Sequence, residues 1–261
     1  MYALLKDISD SIRKKRLWAE LAKLELKVRF RGTYFGVIWV LLALVLKVGM
    51  ISLVYSLVLH KPLKEYVLFL SIGVLTWNYI SALVISSTLS FLKAVNYFNQ
   101  MSMSHFIFVF QTVYRETLIL LLYQLLAIPI ILVYFGLSGV KSIWLWSLLG
   151  YLLIILNGVF AGAWLGWVAT RYRDVQHLIS NLVMILFIVT PVLWPPPSGY
   201  ENHLYFQLNP FYHLLEIVRA PIINGVVPVL SFQVSIGLVF FNFLICVIFY
   251  KKAKDRLVLW F

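Results

Sequence analysis

Side chains able to do acid–base, metal or nucleophilic chemistry are few and scattered in this chain. Of its ten Asp or Glu residues, only Glu116 falls inside a long apolar run, near one end of it and beside Arg115. A local ion pair is the simplest reading of the two. His60, His105, His177, His203 and His213 occupy different loops or run ends, with no HExxH and no carboxylate cluster. They read as interfacial or hydrogen-bonding histidines, and no metal site is expected. Cys246 is alone, which excludes an intramolecular disulfide and a cysteine-held metal. There is no GxxxxGK[ST] phosphate loop; the nearest stretch, GLSGVKS at Gly136–Ser142, has the wrong spacing. The chain is therefore expected to be no enzyme, to bind no cofactor and to hydrolyse no nucleotide itself. What remains is Lys47, an ammonium deep in an apolar run, costly unless it meets a polar cavity or a partner. It shares a helix face with Gly36, Ala43 and Met50. Either that face lines a wet conduit, or Lys47 bonds carbonyls and hydroxyls of a neighbouring helix.

The elements that must position such a lysine are membrane spans. The chain is 62% hydrophobic and 12% charged, with a mean hydropathy of +0.91, where soluble domains carry about 25% charged residues. It reads as an all-α polytopic membrane protein. Six apolar runs approach or exceed the roughly 20 residues that cross a bilayer: about 33–59, 66–91, 107–135, 142–169, 175–194 and 229–250. An even number puts both termini on one side. The segments then assigned inside hold sixteen Lys or Arg residues and the outside loops hold four, which predicts N-in and C-in topology. The net charge of +12 gathers at the ends of apolar runs, not on an aromatic-interleaved basic face, which argues against nucleic acid. A cleavable signal peptide is not expected, because the first apolar run starts after 31 residues and is too long.

Residues 1–31 read as a cytoplasmic amphipathic interface helix. Leu17, Leu21, Leu24 and Val28 form one stripe, basic residues flank it, and Trp18 suits the headgroup level. Residues 32–261 form the six-span transmembrane domain. Gly158, Gly162 and Gly166 recur at steps of four on the fourth span, a face for close helix packing expected within the subunit. Between the fifth and sixth spans, Pro191, Pro195, Pro196 and Pro197 stop the helix. The aromatic, partly charged stretch beyond them suggests re-entrant or interfacial helices. This outer gate segment, about 195–228, offers Asn209, Pro210, Glu216 and Arg219 as gate residues.

Three stretches resemble a known family. They are the basic segment running into RFRGTYFGVIWVLLALVL (Arg29–Leu46); EYVLFLSIGVLTWNYIS (Glu65–Ser81); and RYRDVQHL (Arg171–Leu178) followed by TPVLWP (Thr190–Pro195) and NPFYHLLEIVR (Asn209–Arg219). In order and spacing they are similar to the membrane subunits of ATP-binding-cassette type-2 exporters, above all O-antigen and capsular polysaccharide export permeases. The chain departs in having Ala43 where the family often has proline, and in lacking prolines in 92–106. The resemblance implies a homodimer in the bacterial inner membrane with two copies of a separate ATPase, which holds ATP and Mg. It implies a lipid-linked polysaccharide as cargo, O antigen foremost, with capsular polysaccharide, wall teichoic acid or drug and lipid efflux as alternatives. A different class, an integral-membrane glycosyltransferase, would need a carboxylate site that is not apparent, and a pure channel would need no partner.

The resemblance also implies that the first and fifth spans border a conduit, for which Trp39, Lys47, Tyr55, Phe187 and Trp194 are candidates, since flat aromatic faces contact sugars without directional hold. Arg29 and Arg31 suit a lipid phosphate approaching from the cytoplasm, because the guanidinium fork donates twice. Tyr97, Phe98 and Met101 in the 92–106 coupling loop are apolar anchors for the ATPase.

Overall fold

The computed structural model describes residues 2–95, 97, 103–196, 203–253 and 257, and among them every regular element is helical. The lead-in is two helices, α1 (Tyr2–Arg13) and α2 (Lys15–Arg29), where one was expected. They part at Lys14, whose backbone leaves helical geometry at φ −87°, ψ 31°, inside the run of four adjacent cations Arg13–Arg16. Gly32, at φ +77°, then makes a turn that a side chain would strain. Beyond it comes α3 (Ile38–Val58). Pro62 precedes α4 (Leu63–Thr88), and Ser104 precedes the 31-residue α5 (His105–Phe135), which carries Pro129 and ends at Gly136. Two short 3-10 turns lead into α6 (Leu145–Arg171). The series closes with α7 (Asp174–Val189), the single turn α8 (Leu204–Gln207), α9 (Pro210–Ile223) and α10 (Val229–Ala253).

α4 is the hub. It packs on α3, α5, α6, α7 and α9 and buries most of its length. The glycine face of α6 lies on it in register: a Cβ at Gly158, Gly162 or Gly166 would come within 2.9, 2.6 or 2.7 Å of Leu83, Ser87 or Phe91, themselves four residues apart. The close packing expected from those glycines is thus made within the chain. α1 rests on the start of α5 through the Ser11 and Ser104 hydroxyls, and the Tyr250 hydroxyl at the end of α10 donates to the Ala3 carbonyl at 3.3 Å. Both lead-in helices and the last turns of α10 therefore gather at one end of the bundle, called inner below.

Five helices among the described residues are long and apolar enough to cross a membrane: α3, α4, α5, α6 with the turn before it, and α10. The expected fifth span, 175–194, is shorter than its apolar run. α7 has 16 residues, a rise of about 24 Å, and stops at Val189 because Thr190 precedes Pro191, which disfavours helical backbone before it. The chain then continues without helix along α4. The Val192 carbonyl oxygen would lie 3.0 Å from a Cβ at Gly73, the Tyr66 hydroxyl donates to the Leu193 carbonyl, and Pro195 lines an outer hollow with Lys61 and Glu65. After α8, α9 starts beside the middle of α6, where Pro210 and Gly158 line one cavity. It ends near the outer end of α6, where Ser147 Oγ donates to the Val218 carbonyl at 2.8 Å. α9 thus runs back along α6, buried by α4, α6 and α10.

Candidate functional site

The four residues expected at the outer gate assemble around α9. The Asn209 side-chain oxygen Oδ1 caps it, accepting from the Phe211 and Tyr212 backbone N–H groups at 3.0 and 3.2 Å. Pro210 takes the first position, where no N–H is missed. The Asn209 amide donates to Thr190 Oγ1 at 3.0 Å, pinning the cap to the end of α7. Arg219 is buried; its Nη1 donates to the Pro191 carbonyl at 2.8 Å, its Nε and Nη2 to Glu216 Oε1, and its guanidinium sits 4.5 Å from the Phe69 ring centroid. Non-helical backbone at membrane depth needs such partners inside the protein. Arg219 supplies one to the Pro191 carbonyl and Asn209 holds the Thr190 side chain, so this cluster fastens the break after α7 to α9 and, through Phe69, to α4. His213, not among the expected residues, extends it: one ring nitrogen pairs with Ser231 Oγ and the other with the Gln207 carbonyl, each at 2.9 Å.

The expected conduit residues fall into separate groups. α3 buries only the stripe Leu44, Val48, Ser52 and Ser56, and α7 buries only Val183. Their remaining faces form an open wall beside α4. There the Lys47 ammonium, on an exposed side chain, lies 5.2 Å from the ring centroid of Phe187, a cation–π contact between α3 and α7. Phe187 in turn packs against Trp77. Tyr55 turns inward and stacks parallel to Tyr66 at 6.2 Å. Trp194 donates its indole N–H to the Ile188 carbonyl at 3.4 Å and packs on Phe206. Trp39 stands exposed near the inner end, edge-on to Phe35. At about 100° per residue, Trp39 and Tyr55 lie roughly 160° apart around α3, so Lys47 and Phe187 meet while the full set shares no single face.

At the inner end, Arg31 and Lys27 line a hollow of about 720 Å³ between α2 and the start of α3, walled by Leu24, Val28, Phe30 and Val37. Arg29 does not line it, but its guanidinium lies 5.6 Å from the ring centroid of Phe30 in its wall. Of the expected ATPase anchors, Tyr97 is exposed and packs at 5.8 Å on Phe108; Phe98 and Met101 lie outside the described residues. The Arg115–Glu116 pair forms as expected, and it belongs to a larger cluster that the sequence did not reveal. Glu25 of α2 accepts from Lys93 Nζ at 2.8 Å, from Gln111 Nε2 at 3.3 Å and from Arg115, while Glu116 accepts from Arg115 and from the Ser86 hydroxyl at 2.8 Å. Burial pushes the Glu25 carboxyl up, but the hydrogen bonds and charges of Lys93 and Arg115 outweigh it and hold the group below the usual carboxylate range. An acid amid nine lead-in cations was the one available signal, and it did not name a partner.

A family described as ABC-2 type transporter matches residues 16–223. The chain is 25% identical over 229 residues to the O-antigen export system permease protein RfbA of Myxococcus xanthus, covering 83% of this chain and 84% of that protein. It is 23% identical over 209 residues to an O-antigen export system permease protein RfbA of Klebsiella pneumoniae, covering 77% and 78%.

Proposed function

The chain belongs to the ABC-2 type transporter family, and from that membership we propose that it is the membrane subunit of an ATP-driven exporter of lipid-linked polysaccharide, O antigen first, across the bacterial inner membrane. The cargo is taken from relatives whose names specify O-antigen export and which align over most of their length. The energy comes from a separate ATPase, in two copies, that holds ATP and Mg. Its docking segment is 92–106, with Tyr97, Phe98 and Met101 as anchors.

The observation that carries a conduit is Lys47. A lipid-facing wall would not keep an ammonium at mid-span, yet the α3–α7 wall holds one exposed over Phe187. A second copy of the chain covering that wall, with an aqueous path between the copies, gives the charge a wet surface. In this reading α7 and its non-helical continuation through Pro195 make one crossing. The chain then crosses six times, and the inner end, with both termini, is cytoplasmic. Arg31 and Lys27 open their hollow to a lipid phosphate arriving from that side, with Arg29 close by.

The test is transport. Vesicles containing the chain and its ATPase, loaded with lipid-linked glycan on the ATPase side, should show ATP-dependent appearance of glycan on the opposite side. ATP-dependent movement of a plain lipid or drug with the glycan left behind would overturn the cargo.

A further inference from the structure

The inner charge cluster joins four parts of the chain: α2 through Glu25, the turn after α4 through Lys93, α5 through Gln111, Arg115 and Glu116, and α4 through Ser86. Its two cations and two carboxylates cancel, so it satisfies itself and offers no ion site. The Arg115 and Glu116 side chains are only 6% and 3% exposed. A cavity of about 270 Å³ lies between α2 and this turn, lined by Leu21, Leu24 and Val28 on one side and by Ser90, Ala94 and Tyr97 on the other. Packing across that gap is therefore sparse, and the Glu25–Lys93 ion pair spans it. Lys93 lies four residues before Tyr97, at the start of the segment that docks the ATPase, and α2 leads directly into the phosphate-facing hollow and the conduit helix α3.

We propose that Glu25 and Arg115 are positioning residues of the transport cycle, a rigid link that makes α2 follow the ATPase-driven displacement of the Leu92–Ala94 turn. Lys93 receives the displacement and Glu25 hands it to α2. Arg115, anchored by Glu116 and Ser86, keeps the Glu25 carboxylate aimed across the cavity. The proposal rests on the docking of the ATPase at 92–106, a point tested separately by Tyr97→Ala with Phe98→Ala, which should release the ATPase that the wild-type chain retains on purification. Losing that docking is distinguishable from losing the link.

The experiment uses the full complex. Glu25→Gln keeps size and removes the charge: the ATPase should co-purify at the wild-type ratio and hydrolyse ATP, while glycan export per ATP falls about fivefold or more, the scale of an ordinary coupling energy. In a Cys246→Ala background, Glu25→Cys with Lys93→Cys should export poorly until a short bifunctional thiol reagent bridges the two, and export should then rise. Unchanged export in Glu25→Gln overturns the link. So does a bridged double-cysteine protein that stays inactive, or an export loss that only mirrors loss of the ATPase from the complex.

Discussion

α4 is packed by two different rules on its two sides. Against α6 the backbones approach until three glycines leave no room for a Cβ, with Leu83, Ser87 and Phe91 filling the space. Against α3 and α7 the contacts are a narrow stripe and little else, and Gly49 on α3 has nothing within 4 Å of its Cβ position. Lipid tails give helices no hydrophobic reason to associate, so stable contact comes from close van der Waals packing and buried hydrogen bonds. The first side has both, with Asn157, Trp164 and Asn242 adding hydrogen bonds between α6 and α10. Along α3 and α7 the second has little of either until the chain passes Thr190, and it carries a lysine. Under the proposed function, the tightly packed α6–α9–α10 side is the fixed body of the subunit, and the α3–α7 side is the surface proposed for a second copy and a moving cargo.

The largest effect should come from uncoupling a buried charge on the fixed side. Arg219→Met strands Glu216 and frees the Pro191 carbonyl, which costs about 3–5 kcal/mol and should be read as a large drop in thermal midpoint of the detergent-extracted protein. Pairing it with Glu216→Leu should recover much of the loss; no recovery would mean that Arg219 is not primarily a partner for that carboxylate. Next, Gly166→Val forces a branched side chain into Phe91 and Ser90, an overpacking cost of about 1–3 kcal/mol. Gly49→Ala on the open side should lose nothing and should gain up to about 1 kcal/mol of helix propensity. Equal destabilisation by the two glycine changes would erase the contrast. Smaller still, Arg29→Lys with Arg31→Lys keeps charge and topology but loses the two-donor fork; export should fall by a few-fold at unchanged membrane level, and unchanged export would leave these arginines as topological anchors only.

Legibility followed the distance over which the chemistry acts. The α6 seam could be read from glycine spacing, and the α9 start from Asn209–Pro210, because helix periodicity and capping are local. The length of α7 was misjudged because Val192, Leu193 and Trp194 prolong the apolar run past Pro191, and the span was drawn to the end of that run although Pro191 stops the helix. The lead-in break at Lys14 hid in an otherwise helical pattern. The Asn209 and Arg219 anchors reach back 19 and 28 residues, and Glu25 meets Lys93 across 68, beyond any periodic signal. The scatter of the conduit candidates has another cause. Trp39 and Tyr55 were grouped by chemistry, although their spacing already sets them on opposite faces of a helix.

The most direct test of the contrast asks which wall of the subunit meets water. In a Cys246→Ala background, a cysteine replaces either Lys47 on the α3–α7 wall or Phe240 on the outer face of α10, both exposed on the single chain, and a water-soluble thiol reagent is applied during active export. A thiol reacts as the thiolate, which forms in water and not in hydrocarbon. Lys47→Cys should be labelled and Phe240→Cys should not. Equal labelling of the two, or labelling at Phe240→Cys alone, would contradict the assignment of the α3–α7 wall to the conduit.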